Sequence, residues 1–402
     1  MADARPAPAP TPASDDAPLP VPNLALPQLA FLLADPKAQH HRDGALDRLV
    51  AAIELDHMAP YLDHLSRLDL VPANPALLDR LRADNAAQLK RLADKLDDAQ
   101  TNLGETEVSD ALREKAAYLA RIGEKARLPF LLSASLPDAA VKAHDEAFEK
   151  TAGKGAKIDL VLALVRIGLF HADHDLVTSL VDEGGDWDRR NRLKVYRGVH
   201  LLSIRNFTKA ADLLLDALPT FTATELVDYD DFVVLCVLAG VFALERKELR
   251  KKVIDAPEVI AVLPSRPTIK DYAESLWKCD YAAFFRALAT VESEHLLPSR
   301  LLSVHARYYT RELRIKAYAQ LLESYRSVTL DSLASAFGVS TQWLDADLAR
   351  FIAAGRLACT IDRVAGVVET HRPDAKNQRY TAVIKQGDAV LTSVQRLSRV
   401  IG

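Results

Sequence analysis

The chain has 402 residues, 49% of them apolar and 26% charged, with a formal net charge of −4. That length allows two or three domains with a sizeable core, and the near-balanced charge excludes a global electrostatic drive toward nucleic acid or anionic membrane. Three widely spaced cysteines, Cys236, Cys279 and Cys359, exclude a closed disulfide framework and point to a reduced intracellular compartment.

Residues 1–23 are rich in alanine and proline, with Pro6, Pro8, Pro10, Pro12, Pro18, Pro20 and Pro22. Such a segment buries too little to offset its ordering entropy, so a disordered tail is expected, a Pro-rich ligand for an aromatic groove being the alternative. It lacks the apolar core of a secretory signal. Residues 24–105 read as an N-terminal helical region. Leu46, Leu49 and Ile53, then Leu62, Leu65 and Leu68, then Leu78, Leu81, Leu89, Leu92 and Leu96 recur at helical spacing, punctuated by Pro60, Pro72 and Pro75.

Residues 106–325 read as stacked helix pairs. The clearest unit is Leu193 to Leu218, where Gly198 and Ala210 let two antiparallel helices approach and Leu201, Phe207 and Leu214 fill the space between them. Thr208 is expected to cap the second helix. The spacings resemble a tetratricopeptide repeat, and ARIGEK (Ala120–Lys125) and VRIGLF (Val165–Phe170) resemble degenerate members of the same array. The expected class is mainly α: a right-handed TPR-like helical solenoid followed by a winged helix and a C-terminal helix.

The winged helix covers residues 326–371. Leu330, Leu333, Ala334 and Phe337 form one helical face, which Gly338 ends in a left-handed turn. Ser340 caps the second helix, whose face is Leu344, Leu348, Phe351 and Ile352, and Gly355 closes it. Leu357, Cys359 and Ile361 then alternate with polar residues as a half-buried strand, and Val364 to Glu369, including Val367, return as its partner with Gly366 near the bend.

The last helix, within 380–402, is expected over Thr381 to Ile401. Val383, Val390 and Leu397 repeat every seven residues, as do Gly387, Val394 and Ile401, and Ile384 and Leu391 widen the seam. Such a stripe needs a cover. Two readings stand: docking on its own domain, and a bundle with other subunits.

Motifs for chemistry are missing. There is no His-Glu-x-x-His, no Gly-x-Ser-x-Gly and no Cys-x-x-Cys, so neither catalytic residues, cofactor nor metal is expected. His171 and His174 lie three apart without further ligands nearby. The run Thr151–Lys157 lacks the spacer and hydroxyl of a phosphate loop and reads as a linker. Asp182–Arg192 mixes charges around Trp187 and reads as an inter-helix loop with a possible partner contact, while Cys236 and Cys359 read as core. A DNA-reading winged helix needs cations on its second helix. Here that helix offers Asp345, Asp347 and one Arg350, so nucleic-acid binding is not expected. No apolar run approaches the roughly 18–20 residues of a membrane span.

A helical solenoid ending in a winged helix resembles a PCI domain. The strings GGDWDRRNRLKVY (Gly184–Tyr196), ALERKELR (Ala243–Arg250), RELRIKAYAQLLESYRS (Arg311–Ser327), RFIAAGRL (Arg350–Leu357), ETHRPDAKN (Glu369–Asn377) and VQRLSRVI (Val394–Ile401) are similar to those of the proteasome-lid PCI subunits. The resemblance runs from about Leu24 to the end and is most specific from Gly184 onward. It implies a non-catalytic structural subunit of the regulatory-particle lid in cytoplasm and nucleus, supporting ubiquitin-dependent protein degradation. The alternative is the same scaffold in the deneddylating signalosome or a translation-initiation complex. It also implies partners: other lid PCI subunits through the winged helix and C-terminal helix bundle, and ATPase-ring subunits through the solenoid. The interface residues are then Leu357, Cys359, Ile361, Val367, Val383, Ile384, Val390, Leu391, Val394, Leu397 and Ile401. Against the family pattern, Ala126–Pro137 looks like an insertion and Asp173–Asp182 looks short.

Overall fold

The computed structural model describes residues 21–37, 42–123, 139–151, 153–180, 187–371 and 375–401. The fold is mainly α, with one three-stranded sheet among the described residues. Two compact units emerge: residues 1–277 with 287–309, and residues 278–286 with 310–402.

The first unit begins with α1 (Ala25–Ala34), α2 (Ala45–Leu55), α3 (Ala59–Arg67) and the long α4 (Pro75–Asn102). Leu26, Leu49, Ile53, Met58, Leu62, Leu65 and Leu81 close one core among them. Leu68, expected in that core, is 54% exposed because it follows the last turn of α3. Pro60 and Pro75 start helices here: each occupies the first turn, where a missing N–H costs nothing. Asn74 caps α4 by accepting from Leu77 N at 3.2 Å.

Next come α5 (Glu105–Arg121), α6 (Ala139–Lys150), α7 (Lys154–His171), α8 (His174–Leu180), α9 (Trp187–Ser203), α10 (Phe207–Ala217) and α11 (Tyr229–Ala243). A short α12 (Arg246–Leu249) runs into a π turn at Arg250–Ile254, followed by α13 (Pro257–Val262) and α14 (Pro267–Lys278). Each main packing joins near neighbours in sequence: α4 on α5, α5 on α6, α6 on α7, α7 on α8 and α9, α9 on α10, α10 on α11 and α11 on α13. That is the construction rule of a solenoid, in which each unit buries its face on the next.

Glycine sets the closest approaches. A Cβ on Gly198 of α9 would lie 2.5 Å from Leu214 Cδ2 of α10, closer than carbon atoms pack. Gly168 of α7 stands in the same way against Val177 of α8, and Gly240 of α11 against Val253. Gly198→Val is therefore expected to destabilise the chain by about 1–3 kcal/mol through overpacking. Urea unfolding measures this, and Leu214→Ala in the same chain should recover part of the loss; a neutral single variant would refute the close approach.

Buried polar groups tie successive layers. Arg166 of α7 donates to Tyr196 Oη of α9 at 2.8 Å, and that hydroxyl donates to Glu225 Oε1 at 2.9 Å. Burial pushes the Tyr196 phenol well above its usual range. Tyr272 and Tyr309 share a hydrogen bond of 2.7 Å; since the Tyr309 hydroxyl donates to Leu238 O, also at 2.7 Å, Tyr272 is the donor between them.

Several sequence expectations are corrected here. The cap of α10 is Asn206, which accepts from Lys209 N at 3.3 Å, and Thr208 lies inside the helix. The segment read as a linker becomes helix from Lys154, and the segment read as a loop becomes helix from Trp187. His171 ends α7 and His174 starts α8, so they share no helix. The insertion Ala126–Pro137 lies outside the described residues; the short stretch 173–182 holds α8, and 181–186 lie outside. Cys236 is fully buried, as its apolar setting suggested.

Candidate partner interface

The second unit draws on α15 (Tyr281–Val291) and α16 (Ala306–Leu322) and then builds β1 (Ser327–Thr329), α17 (Leu330–Phe337), α18 (Thr341–Ala353), β2 (Cys359–Asp362), β3 (Val367–Thr370) and α19 (Ala375–Ile401). Its centre is aromatic. Phe337 is 1% exposed, and its ring centroid lies 4.9 Å from those of Tyr281 and Phe285 and 4.7 Å from that of Tyr318.

The turn between α17 and α18 follows its local chemistry. Gly338 takes φ +66°, and a Cβ there would also press on Ala282 at 3.2 Å. Ser340 then caps α18 by accepting from Trp343 N at 3.4 Å.

The sheet order is β1-β3-β2, all antiparallel, with Val328 opposite Val368 and Ile361 opposite Val368. Both β1 and β2 are therefore edge strands, and an edge presents unpaired backbone groups to another chain. Val368 is buried, as are Leu357 at 7% and Cys359 at 4% exposure. Burial raises the Cys359 thiol pKa. Both side chains thus lie in the core of their own unit. Ile361 and Val367 are half-buried at the wing.

Sequence reasoning missed Val364 as a surface residue. It is fully exposed at the wing tip, where Asp362 Oδ1 accepts from Val364 N at 2.9 Å and Ala365 N at 3.1 Å and Gly366 takes φ +64°. The signal was present, since an Asp two residues before an apolar residue and four before a glycine builds such a turn.

The acids of α18 are not a free surface. Asp347 is 1% exposed; Arg314 Nη1 lies 3.3 Å from its Oδ2, and Tyr318 donates to the same oxygen at 3.3 Å. Burial, and then the Asp347 charge, push the Tyr318 phenol well up. Asp345 pairs with Arg363 of the wing at 2.8 Å. The outward residues of α18 include Gln342, Trp343 and Arg350, so that face offers phosphate a single cation. Asp347→Ala is expected to cost about 1–3 kcal/mol, discounted because Arg314 is partly exposed and keeps some hydration. Denaturant unfolding of the full chain tests it, and an unchanged midpoint would count against a structural role.

Helix α19 differs from all the others. It runs 27 residues, about 40 Å, and starts six residues before the expected Thr381. Every side chain from Arg379 to Arg399 is exposed. Val383, Ile384, Val390, Leu391, Val394 and Leu397 stand 58–65% exposed, and Ile401 is its last residue. None of the principal helix packings includes it. Among the described residues, no cluster of His, Cys, Asp or Glu is placed to hold a metal, and no helix is long and apolar enough to cross a membrane.

Comparison with known families agrees in order along the chain. The family model for 26S proteasome subunit RPN7 matches residues 74–252, that for the PCI domain residues 272–372, and that for the RPN7/PSMD6 C-terminal helix residues 379–401. The 26S proteasome non-ATPase regulatory subunit 6 of Dictyostelium discoideum is 43% identical over 362 residues, covering 88% of this chain and 91% of its own. Its namesake in Oryza sativa subsp. japonica is 42% identical over 388 residues, covering 94% of this chain and 96% of its own. The COP9 signalosome complex subunit 1 of Arabidopsis thaliana is more distant, 25% identical over 199 residues, or 49% of this chain and 45% of its own. The chain belongs to the RPN7 family of 26S proteasome non-ATPase regulatory subunits.

Proposed function

We propose that this chain is a non-catalytic structural subunit of the 19S regulatory-particle lid and supports lid assembly and ubiquitin-dependent protein degradation in cytoplasm and nucleus. The observation that carries this reading is α19, an apolar-striped helix with no buried side chain from Arg379 to Arg399. An isolated helix of this kind is marginal in water, and packing an amphipathic face supplies most helical stability. The natural cover is a bundle with neighbouring subunits, reached through Val383, Ile384, Val390, Leu391, Val394, Leu397 and Ile401.

The winged helix, residues 326–371, joins other PCI subunits through its sheet edge at β2, with Ile361, Val367 and the exposed Val364 beside it. The tail (1–23), the N-terminal helical region (24–105) and the repeats (106–325) complete the domain layout. The repeats reach the ATPase ring.

The test is gentle purification of the tagged native protein, identification of the chains that accompany it, and a peptidase assay. Lid subunits, ATPases and chymotrypsin-like activity together are expected. A deneddylating set without peptidase activity would move the chain to the signalosome, and a chain without stable partners would overturn the assembly reading.

A further inference from the structure

The first unit holds a cavity of about 700 Å³, walled by the start of α1, residues 224–228, α11 and the stretch between residues 294 and 302. Four carboxylates line it, Glu225, Asp228, Asp231 and Glu294, against two guanidiniums, Arg266 and Arg300. That excess of two negative charges is larger than the roughly half positive charge at the N-terminus of α11. Charge of one sign along a low-dielectric cleft focuses its field into the cleft and draws in the opposite charge.

The four acids have different settings. Asp228, Asp231 and Glu294 are exposed. Asp231 pairs with Arg266 at 3.0 Å, and Glu294 accepts from Thr268 Oγ1 at 3.3 Å. The Asp228 side chain makes no capping hydrogen bond to α11. Glu225, by contrast, is only 7% exposed. Tyr196 donates to its Oε1, while its Oε2 meets no donor among the described residues. A buried carboxylate oxygen without a donor is costly. Arg166 reaches this carboxylate only through the Tyr196 hydroxyl, and Arg300 donates to the carbonyls of Leu169 and Phe170 at 2.9 and 3.0 Å.

Aliphatic side chains, among them Leu226, Val234, Leu238 and Leu301, supply much of the remaining wall. A bare divalent ion needs oxygen ligands gathered at about 2.0–2.6 Å, and no acidic group among the described residues is gathered in that way. Separated carboxylates on an aliphatic wall match several ammonium groups joined by methylenes. The volume falls in the range of small-ligand sites, about 300–1,000 Å³, which favours a free molecule over one side chain of a neighbour.

We propose that this cavity binds a free linear polyamine. One ammonium completes the hydrogen bonding of Glu225, others lie by Asp228 and Glu294, and the methylenes pack on Leu226, Val234, Leu238 and Leu301. The proposal goes beyond the assembly reading and does not rest on it.

Calorimetric titration of the purified full chain with spermidine tests it. One saturable site per chain is expected, with a melting temperature raised by the ligand. Glu225→Gln should weaken binding at least about tenfold, through loss of a charge-assisted hydrogen bond. Asp228→Asn/Glu294→Gln should weaken it about tenfold as well, and both of these side chains are exposed, so this variant spares the core. Glu105→Gln, an exposed acid outside the cavity, should leave the affinity unchanged. Circular dichroism identifies a Glu225→Gln chain that fails to fold, and the exposed double variant then decides.

Absence of saturable binding would overturn the proposal. So would an unchanged affinity in the exposed double variant, an equal loss in Glu105→Gln, or displacement of spermidine by magnesium chloride at equal total charge, which marks simple screening. Binding to the isolated chain but not to native particles would assign the site to a lysine of a covering subunit and overturn the free amine. The assembly reading survives each of these results, because it is tested by the chains that accompany the native protein.

Discussion

Removal of residues 383–402 is expected to reduce binding of the chain to its lid neighbours by at least about a hundredfold and to leave the rest of the chain folded. The deleted segment holds Val383, Ile384, Val390, Leu391, Val394 and Leu397, each at least 58% exposed. Closing such a side chain in an interface contributes about 1.5–3 kcal/mol. Association and side-chain ordering consume part of that sum, so the expected loss is set well below the total. Native gels of extracts and thermal unfolding of the purified truncated chain measure the two halves. Normal incorporation would sink the claim, and so would a melting temperature lowered by many degrees, because the deleted side chains described here are exposed and bury nothing.

Phe337→Ala should be the most damaging single core substitution in the second unit, at about 3–5 kcal/mol. Its ring packs against those of Tyr281, Phe285 and Tyr318, so truncation removes the centre of that cluster. Tyr318 also donates to the buried Asp347, so loosening the ring weakens the anchorage of that carboxylate. Denaturant unfolding should show a lowered midpoint for the variant. A cost under about 1 kcal/mol would mean that the aromatic cluster relaxes freely, contrary to the close packing of protein interiors.

The parts of this fold that sequence made legible are those written in local chemistry. Gly338 and Ser340 announced a turn because one supplies a left-handed residue and the other a capping hydroxyl, and both do so. Gly198 announced a close helix approach for the same kind of reason. Thr208 was misread as a cap because Asn206, two residues earlier, offers a similar oxygen and sits where the chain turns into the helix. Helix α19 begins at Ala375 and not Thr381 because Lys376, Asn377 and Gln378 carry no apolar period to mark it.

The interface was legible only in part. A period of seven revealed the stripe on α19 because no alternation of core and solvent competes with it there. On the wing, the alternation of Leu357, Cys359 and Ile361 identified an apolar side without identifying what covers it. The cover for the first two is the chain's own core. The charge of α18 misled in the opposite direction, since Asp347 counts as an acid in the sequence and is enclosed in the fold. Pattern gives the face, and only packing decides whether that face is inside or outside.

The exposure of α19 gives the molecule two stabilities of different kinds. Helices α1–α18 bury their apolar faces within the chain, so their unfolding free energy is a property of one molecule and does not change on dilution. In the proposed assembly, the apolar stripe of α19 (Ala375–Ile401) is buried only against another subunit, so its order is linked by mass action to the free concentration of that subunit. On that reading, dilution is expected to melt the end of the chain before it touches the body. The helicity of that segment is therefore a concentration gauge, and the same polypeptide has a different thermal profile alone and at saturation.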